Sequence, residues 1–365
     1  MTEPIIYESP AKRLSGMVLN EKWNVGERLT VGAQAGGNGT GGHFSVSYKV
    51  ESVDKKTNAF LKAFDFHKTL QDAINSEHDV MATFAELTSN YQFENKINEI
   101  CLSKKFKKIV KVLDKGQVVL DGNFLNVVPF LIMEMADSGD IRKYVEISGD
   151  ISLIVKLEYL KDITLGLNQL HGAMITHQDL KPSNIMVFSE HGAKIGDLGR
   201  ASLHGNHHWH DDLSIAGDCG YAPPEQLYGF RPAEWIDRRQ KCDLYQLGSV
   251  VSFLFLGITL NGLMKKNLPK EIAPHIWGGT GDSYEESLHH LEHSFNEALA
   301  NFDDVHPKWL GERLKSIVNR CSHPDYKKRG IIKTIGMKRP ILGLDRLVSE
   351  FDFVIKQLKI KEKFI

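Results

Sequence analysis

Hydrophobic and polar positions change their rhythm several times along the chain, and each change predicts an element. A short apolar run from Leu29 leads into six glycines between Gly32 and Gly42. Beyond them Phe44, Val46, Tyr48 and Val50 alternate with smaller polar residues. A period of two is that of a half-buried strand, so this stretch reads as strand, glycine loop, strand. Another strand is predicted at Ala59–Phe66, and a polar run rich in Glu, Asn and Lys predicts a helix that ends near Cys101. The apolar runs Ile109–Leu113 and Val127–Met135 predict two more strands.

Past Gly139 the period lengthens. Leu153, Leu157, Leu160, Ile163, Leu167 and Leu170 recur at three-to-four spacing and stop near His171 and Gly172, as one face of a helix does. Leu342–Phe364 shows the same spacing and predicts a closing helix. The first third is therefore mostly β with one main helix and the remainder mostly α, with the junction near Glu134–Gly139. The expected division is an N-terminal extension over 1–24, a first lobe over 25–135, a second over 136–350, and a helical tail over 351–365. No repeat or Pro/Ser-rich linker separates the lobes.

Composition narrows the function classes. The 365 residues are 42% hydrophobic and 25% charged, which excludes a disordered chain and provides for two or three packing units. With 45 Lys+Arg against 46 Asp+Glu, the net charge of −1 gives no strong case for nucleic acid or an anionic membrane as main partner. Cys101, Cys219, Cys242 and Cys321 have no zinc-site spacing and suit a reducing compartment. The first residues hold an early Glu and no apolar core of signal-peptide length, so a cytoplasmic protein is expected. Leu244–Met264 is uncharged and long enough to span a bilayer. Gln246, Ser249, Ser252, Asn261 and three glycines within it instead predict a buried core helix.

Candidate chemistry is densest in THQDLKPSNIMVF, Thr176–Phe188, followed by AKIGDLGRASL, Ala193–Leu203. Together these resemble the catalytic and metal-binding loops of the eukaryotic-type Ser/Thr protein kinases. The chemistry asks for such a set: a carboxylate to orient the attacking hydroxyl and accept its proton, and cations to neutralise the phosphates. The resemblance makes Asp179 the base, puts Lys181 on the transferred phosphate, and gives Asn184 and Asp197 to Mg²⁺. It implies a bilobal α+β fold and ATP as phosphoryl donor. The implied function is transfer of the γ-phosphoryl group to Ser/Thr hydroxyls of protein substrates, the chain's own included. Two rival readings stay open: a pseudokinase that switches on nucleotide binding, and a small-molecule kinase.

Further matches follow in chain order. Lys62 in AFLKAF stands where the family's strand lysine neutralises the α and β phosphates. Its helix partner is Glu94, because that choice leaves Ile97, Ile100 and Cys101 as the buried stripe; Glu99 is the runner-up. Gly37, Gly39 and Gly42 satisfy GxGxxG over the phosphates with Phe44 after them; Gly39 and Gly41 with Val46 give a second register. In LIMEMADSGDI the resemblance makes Met133 the gatekeeper, brings the backbone of Glu134 and Ala136 to the adenine edge and Asp140 to the ribose, and places Met186 on the adenine pocket floor. Glu225 in GDCGYAPPEQL should pair with Arg329. DLYQLG, Asp243–Gly248, should open the buried central helix.

Some positions depart from the family pattern. Gln178 replaces the arginine that in many kinases binds a phosphorylated activation loop, so control by loop phosphorylation is not expected. Leu198 replaces the phenylalanine of DFG. Phe60 stands where a small alanine faces adenine, and Asp218 where a threonine contacts base and lysine. Extra length within 66–90 and 265–310 marks two candidate surfaces for a regulatory partner. The histidine cluster His204–Asp212 is expected to be a mobile, solvated part of the activation segment, and the Lys104–Lys108 run an exposed connection.

Overall fold

The computed structural model describes residues 8–29, 45–121, 126–149, 151–277, 281–331 and 342–361. The chain divides into two compact units. The first holds residues up to Lys105 together with Val110–Ala136; the second holds Phe106–Ile109 and everything from Asp137 onward.

The first unit is an antiparallel sheet with two helices. Its strands are β1 (Val18–Leu19), β2 (Trp23–Leu29), β3 (Ser45–Ser52), β4 (Asn58–Phe64), β5 (Val112–Val119) and β6 (Val127–Glu134), in the order β1-β2-β3-β4-β6-β5. Strand alternation divides the apolar side chains between two clusters. Tyr48, Val50, Leu61, Phe130 and Ile132 join one, and Phe64, Val127 and Leu131 join the other, beside Phe66 and Leu70 of α1 (Phe66–Asn75) and Leu87 of α2 (Val80–Ser103). Each helix begins on an aspartate: Asp65 accepts from the Lys68 N–H, and Asp79 from those of Met81 and Ala82.

Two expectations are corrected here. Within the expected extension, residues 8–24 pack into the first unit, because Ala11, Leu14, Leu19 and Trp23 are buried in the first cluster and β1 belongs to the sheet. The strand expected at Ile109–Leu113 is shifted along the chain, overlapping the observed one only at Val112 and Leu113. Ile109 makes a parallel bridge to Ile195 in the second unit, and β5 starts at Val112 and runs on through Asp114, Lys115 and Gln117. As the last strand of the sheet, β5 exposes alternate side chains, so its sequence is more polar than that of β6. The extra length within 66–90 is helical, forming α1 and the start of α2.

The second unit is mainly helical, with α3 (Ile141–Ser148), α4 (Leu153–Gly172), α5 (Pro224–Leu227), α6 (Lys241–Leu256), α7 (Leu260–Asn267), α8 (Pro274–Trp277), α9 (Gly281–Ala300), α10 (Lys308–Ser322) and α11 (Leu344–Lys361). Two short hairpin-like pairings accompany them: β7 (Ile175–Thr176) with β10 (Ser202–Leu203), and β8 (Ile185–Phe188) with β9 (Gly192–Ile195). The predicted helix over Leu153–Gly172 is α4. The uncharged stretch Leu244–Met264 is buried core, as expected, but it is two helices. Gly257 adopts φ +71° and ends α6, Thr259 caps α7 through the Gly262 N–H, and the segments meet at 85°. No single described helix is long and apolar enough to cross a membrane. The expected tail from 351 is continuous with α11, whose Leu347, Phe351, Val354 and Leu358 are buried along α4.

Candidate active site

In the first unit, the period of β4 decides where Lys62 points. Ala59, Leu61 and Ala63 enter one cluster, which sends Phe60 and Lys62 to the face that α2 covers. There the Lys62 ammonium lies 2.8 and 3.0 Å from the two carboxylate oxygens of Glu94, a buried residue. Glu99, the runner-up, pairs instead with Lys115 at the surface. Phe60 is the cross-strand partner of Met133, as Lys62 is of Leu131. An aromatic ring therefore neighbours the expected gatekeeper, on the same face as the lysine.

In the second unit, the catalytic loop hangs from buried side chains of α6. Asp243, fully buried, accepts from the backbone N–H of His177 and of Gln178, each at 2.8 Å, and lies 2.8 Å from His171 Nε2. Gln246, one turn further along, accepts from the Leu180 N–H at 2.9 Å and donates to the Gln178 carbonyl at 2.9 Å. These bonds bracket Asp179. Its Oδ2 accepts from Asn184 Nδ2 at 3.0 Å and lies 3.1 Å from Lys181 Nζ, and its Oδ1 accepts from the Asp218 N–H at 2.8 Å. Asn184 Nδ2 also donates to the Asp179 carbonyl, leaving its amide oxygen as the one donor it could offer a cation. The Gly196 N–H bonds to the Asn184 carbonyl at 2.8 Å, and Asp197, at φ +53°, follows directly in the chain.

The end of the activation segment closes on this loop. A Cβ on Gly217 would stand 2.5 Å from the Gln178 carbonyl and 2.6 Å from Asp179 Oδ1, so only glycine allows the approach that brings the Asp218 N–H to Asp179. Asp218 Oδ2 lies 3.5 Å from Lys181, which therefore has two carboxylates beside it. Glu225 forms two bonds, 2.7 and 2.6 Å, to the guanidinium of Arg329, with both side chains buried. That pair ties α5 to the turn after α10.

The model of the protein kinase domain matches residues 41–338. The chain belongs to the protein kinase family. Among curated proteins, the kinase is 31% identical over 151 residues to the probable serine/threonine-protein kinase PknB of Corynebacterium glutamicum, covering 41% of this chain and 22% of that protein. It is likewise 31% identical over 151 residues to the serine/threonine-protein kinase PknB of Mycolicibacterium smegmatis, over 41% of this chain and 23% of that one. The serine/threonine-protein kinase RAD53 of Saccharomyces cerevisiae is 22% identical over 253 residues, 64% of this chain and 30% of its own length. The chain thus spans less than a third of the length of these relatives.

Other expected site residues of the kinase fare differently. Gly37, Gly39 and Gly42 lie outside the described residues, and the register of the glycine loop lies there with them. The Glu134 N–H is taken by the Lys111 carbonyl, and its side chain accepts from the Lys111 N–H, in addition to its ladder pairing with Ala59. Ala136 ends the first unit. Asp140 is the N-cap of α3, accepting from the Lys143 N–H at 3.0 Å, and it bridges to Met186 on β8. Its carboxylate serves the helix terminus, which its sequence position alone does not reveal.

The histidine cluster is only partly the solvated loop expected: His204, Gly205, His207 and Asp212 are exposed, while His208, His210 and Asp211 are buried. His208 and His210 are buried around the 3-10 turn Trp209–Asp212, with their Nδ1 atoms 3.0 Å apart. His210 Nε2 lies 2.7 Å from the Ala201 carbonyl and must donate, so His210 Nδ1 accepts from His208. Burial pushes the His210 imidazole down to about 4. Lys108, expected on an exposed connection, pairs with the half-buried Asp162 at 2.8 Å. Sequence reasoning missed Gln246 and Gly217, which hold and approach the loop around Asp179. Gln246 was visible as a polar residue in the mostly apolar helix α6, which is a signal of a buried hydrogen-bonding task.

Proposed function

We propose that this kinase transfers the γ-phosphoryl group of ATP to serine and threonine hydroxyls of proteins, its own included, with Mg²⁺ as cofactor. The observation that carries the reading is the arrangement of Asp179, Lys181 and Asn184 around one carboxylate oxygen, at 3.0 and 3.1 Å. Asp179 orients the acceptor hydroxyl and takes its proton as the oxygen attacks the γ-phosphorus and the bond to ADP breaks. Lys181 balances charge on the transferred group, and Lys62, held by Glu94, addresses the α and β phosphates. The hard oxygens of Asn184 and Asp197 suit Mg²⁺, which takes few protein ligands and completes its shell with phosphate and water. That cation would neutralise the phosphates and align them. Lysine two residues after the base, and the printed names of the relatives, support serine and threonine as acceptors.

A nucleotide-binding switch without transfer is the second reading, because Asp218 competes for Lys181 and Phe60 stands beside Met133. Incubation with labelled ATP, Mg²⁺ and a generic protein acceptor separates the two. Labelled serine or threonine, lost in Asp179→Asn and in Lys62→Ala while both variants keep the wild-type melting profile, is the expected result. Undiminished turnover in either variant would refute the assignment, and nucleotide-induced stabilisation without any transfer selects the switch.

A further inference from the structure

Gln178 immediately precedes the catalytic aspartate and adopts φ +68°, a left-handed conformation that costs a residue with a Cβ and persists only where its surroundings impose it. Its surroundings are unusually complete. Besides the bonds to Asp243 and Gln246, its side-chain Nε2 donates to the Arg239 carbonyl at 2.8 Å, and its Oε1 accepts from Arg239 Nη1 at 3.1 Å. Residue 178 and residue 239 thus hold each other by a reciprocal pair of bonds, in which one partner is an arginine that is 2% exposed.

The other arm of that guanidinium reaches the activation segment. Arg239 Nη2 donates to the Asp211 carbonyl at 2.6 Å and lies 3.2 Å from Asp211 Oδ1. Asp211 is 7% exposed, and its Oδ2 accepts from the His208 N–H at 3.0 Å, closing the turn that contains it. Arg231 Nη2 adds a second bond to the same carbonyl, at 2.7 Å. Arg239 Nε has no hydrogen-bond partner among the described residues, so the anchoring runs entirely through the two terminal nitrogens. A buried guanidinium facing a buried carboxylate holds strongly against removal of either partner, since the survivor is left charged and desolvated.

We propose that Arg239 is a positioning residue for phosphoryl transfer, clamping the activation segment at Asp211 to the catalytic loop at Gln178 so that the segment takes its working conformation without a phosphorylated side chain. This rests on the protein-kinase reading of Asp179. The carboxylate of Asp211 supplies the negative charge that a phosphate would otherwise bring, and Arg239, four residues before Asp243, supplies the cation that position 178 lacks. Loss of the clamp releases Gln178 from its left-handed conformation and moves the carboxylate beside it.

The test uses the full chain after phosphatase treatment, with hydrogen exchange read alongside kinetics. The treated wild type should keep its turnover. Asp211→Asn and Arg239→Met should lower kcat on the order of a hundredfold, the penalty of a small displacement at the reacting centre, with KM for ATP within about a factor of two. Arg239→Lys should not rescue, because a point charge cannot serve Gln178 and Asp211 together. Amides of residues 204–213 should exchange faster in both variants, while those of α4 and α6 keep their protection. If Arg239→Met fails to fold, Asp211→Asn still decides. Unchanged kcat and exchange in Asp211→Asn, or loss of wild-type turnover on phosphatase treatment, overturns the clamp. A wild type that transfers no phosphate at all sinks the kinase reading instead, and the exchange of residues 204–213 still tells whether the clamp exists.

Discussion

At the scale of single residues, the site tolerates least at Gly217. The two oxygens that a methyl group there would meet, at 2.5 and 2.6 Å, are the Gln178 carbonyl and the carboxylate Oδ1 of Asp179, the first backbone and the second held by the Asp218 N–H and by Asn184 on the other oxygen. Gly217→Ala is therefore expected to lower phosphotransfer on the order of a hundredfold. Stability should fall by only about 1–3 kcal/mol, since the strain is confined to one loop. Steady-state kinetics beside a thermal melt reads both, and a fall in activity no larger than the fall in folded fraction would sink the idea. Asp179, Lys181 and Asn184 were legible in the sequence because they lie within one short stretch, whose spacing alone nearly fixes their geometry. Gly217 was visible only as a glycine. What makes it necessary is the carbonyl of Gln178, far away along the chain, which no local pattern encodes.

Among elements, buried and exposed ion pairs do different work. The pair of Glu225 with Arg329 is closed to water on both sides, at 2% and 0% side-chain exposure, and it joins α5 to the turn after α10. Glu225→Gln leaves a buried guanidinium with half a partner and should cost about 3–5 kcal/mol in chemical denaturation. Asp303→Asn, which breaks the exposed pair with Lys315, should change stability by no more than about 1 kcal/mol. Similar losses from the two substitutions would contradict the burial argument. The pairing of Glu225 with Arg329 was anticipated through resemblance, and that of Lys62 with Glu94 rather than Glu99 through the helix period. The extent of the edge strand β5 was not, because a strand exposed on one side carries polar residues that dilute the apolar signal. The break between α6 and α7 was signalled by Gly257, yet several glycines stood in the same stretch.

For the whole molecule, burial of His210 makes stability depend on acidity. His210 is held neutral, with its ionisation pulled from 6.5 to about 4 mainly by burial and further by His208 and Arg200, against the opposing pull of the Ala201 carbonyl and Asp211. The unfolded chain therefore binds the extra proton first. Stability should fall as pH drops from about 6.5 toward about 4, by no more than about 1.4 kcal/mol per pH unit from this group. Melting temperatures between about pH 7 and about pH 5 check this, and His210→Gln should flatten the slope. An equal slope in both proteins would show that other groups carry it. The same burial corrects the expectation of a loose activation segment. A run of histidines, glycine and asparagine looks solvated when read along the chain, and His204, Gly205 and His207 are indeed exposed; His208 and His210 are buried because Ala201, Asp211 and Arg239 gather around them.

The order of strands and helices, the catalytic spacing and the family were determined by the sequence itself, since each rests on short-range periodicity or on residues a few positions apart. Only the tertiary structure decided what holds those residues in place. Asp243 and Gln246 carry the catalytic loop from the central helix, Gly217 and Asp218 approach it from the activation segment, and Arg239 joins that segment to the residue before the base. Each of these bonds joins residues well separated along the chain. Their partners are chosen by packing, because a buried polar atom must find whichever group the fold brings within reach.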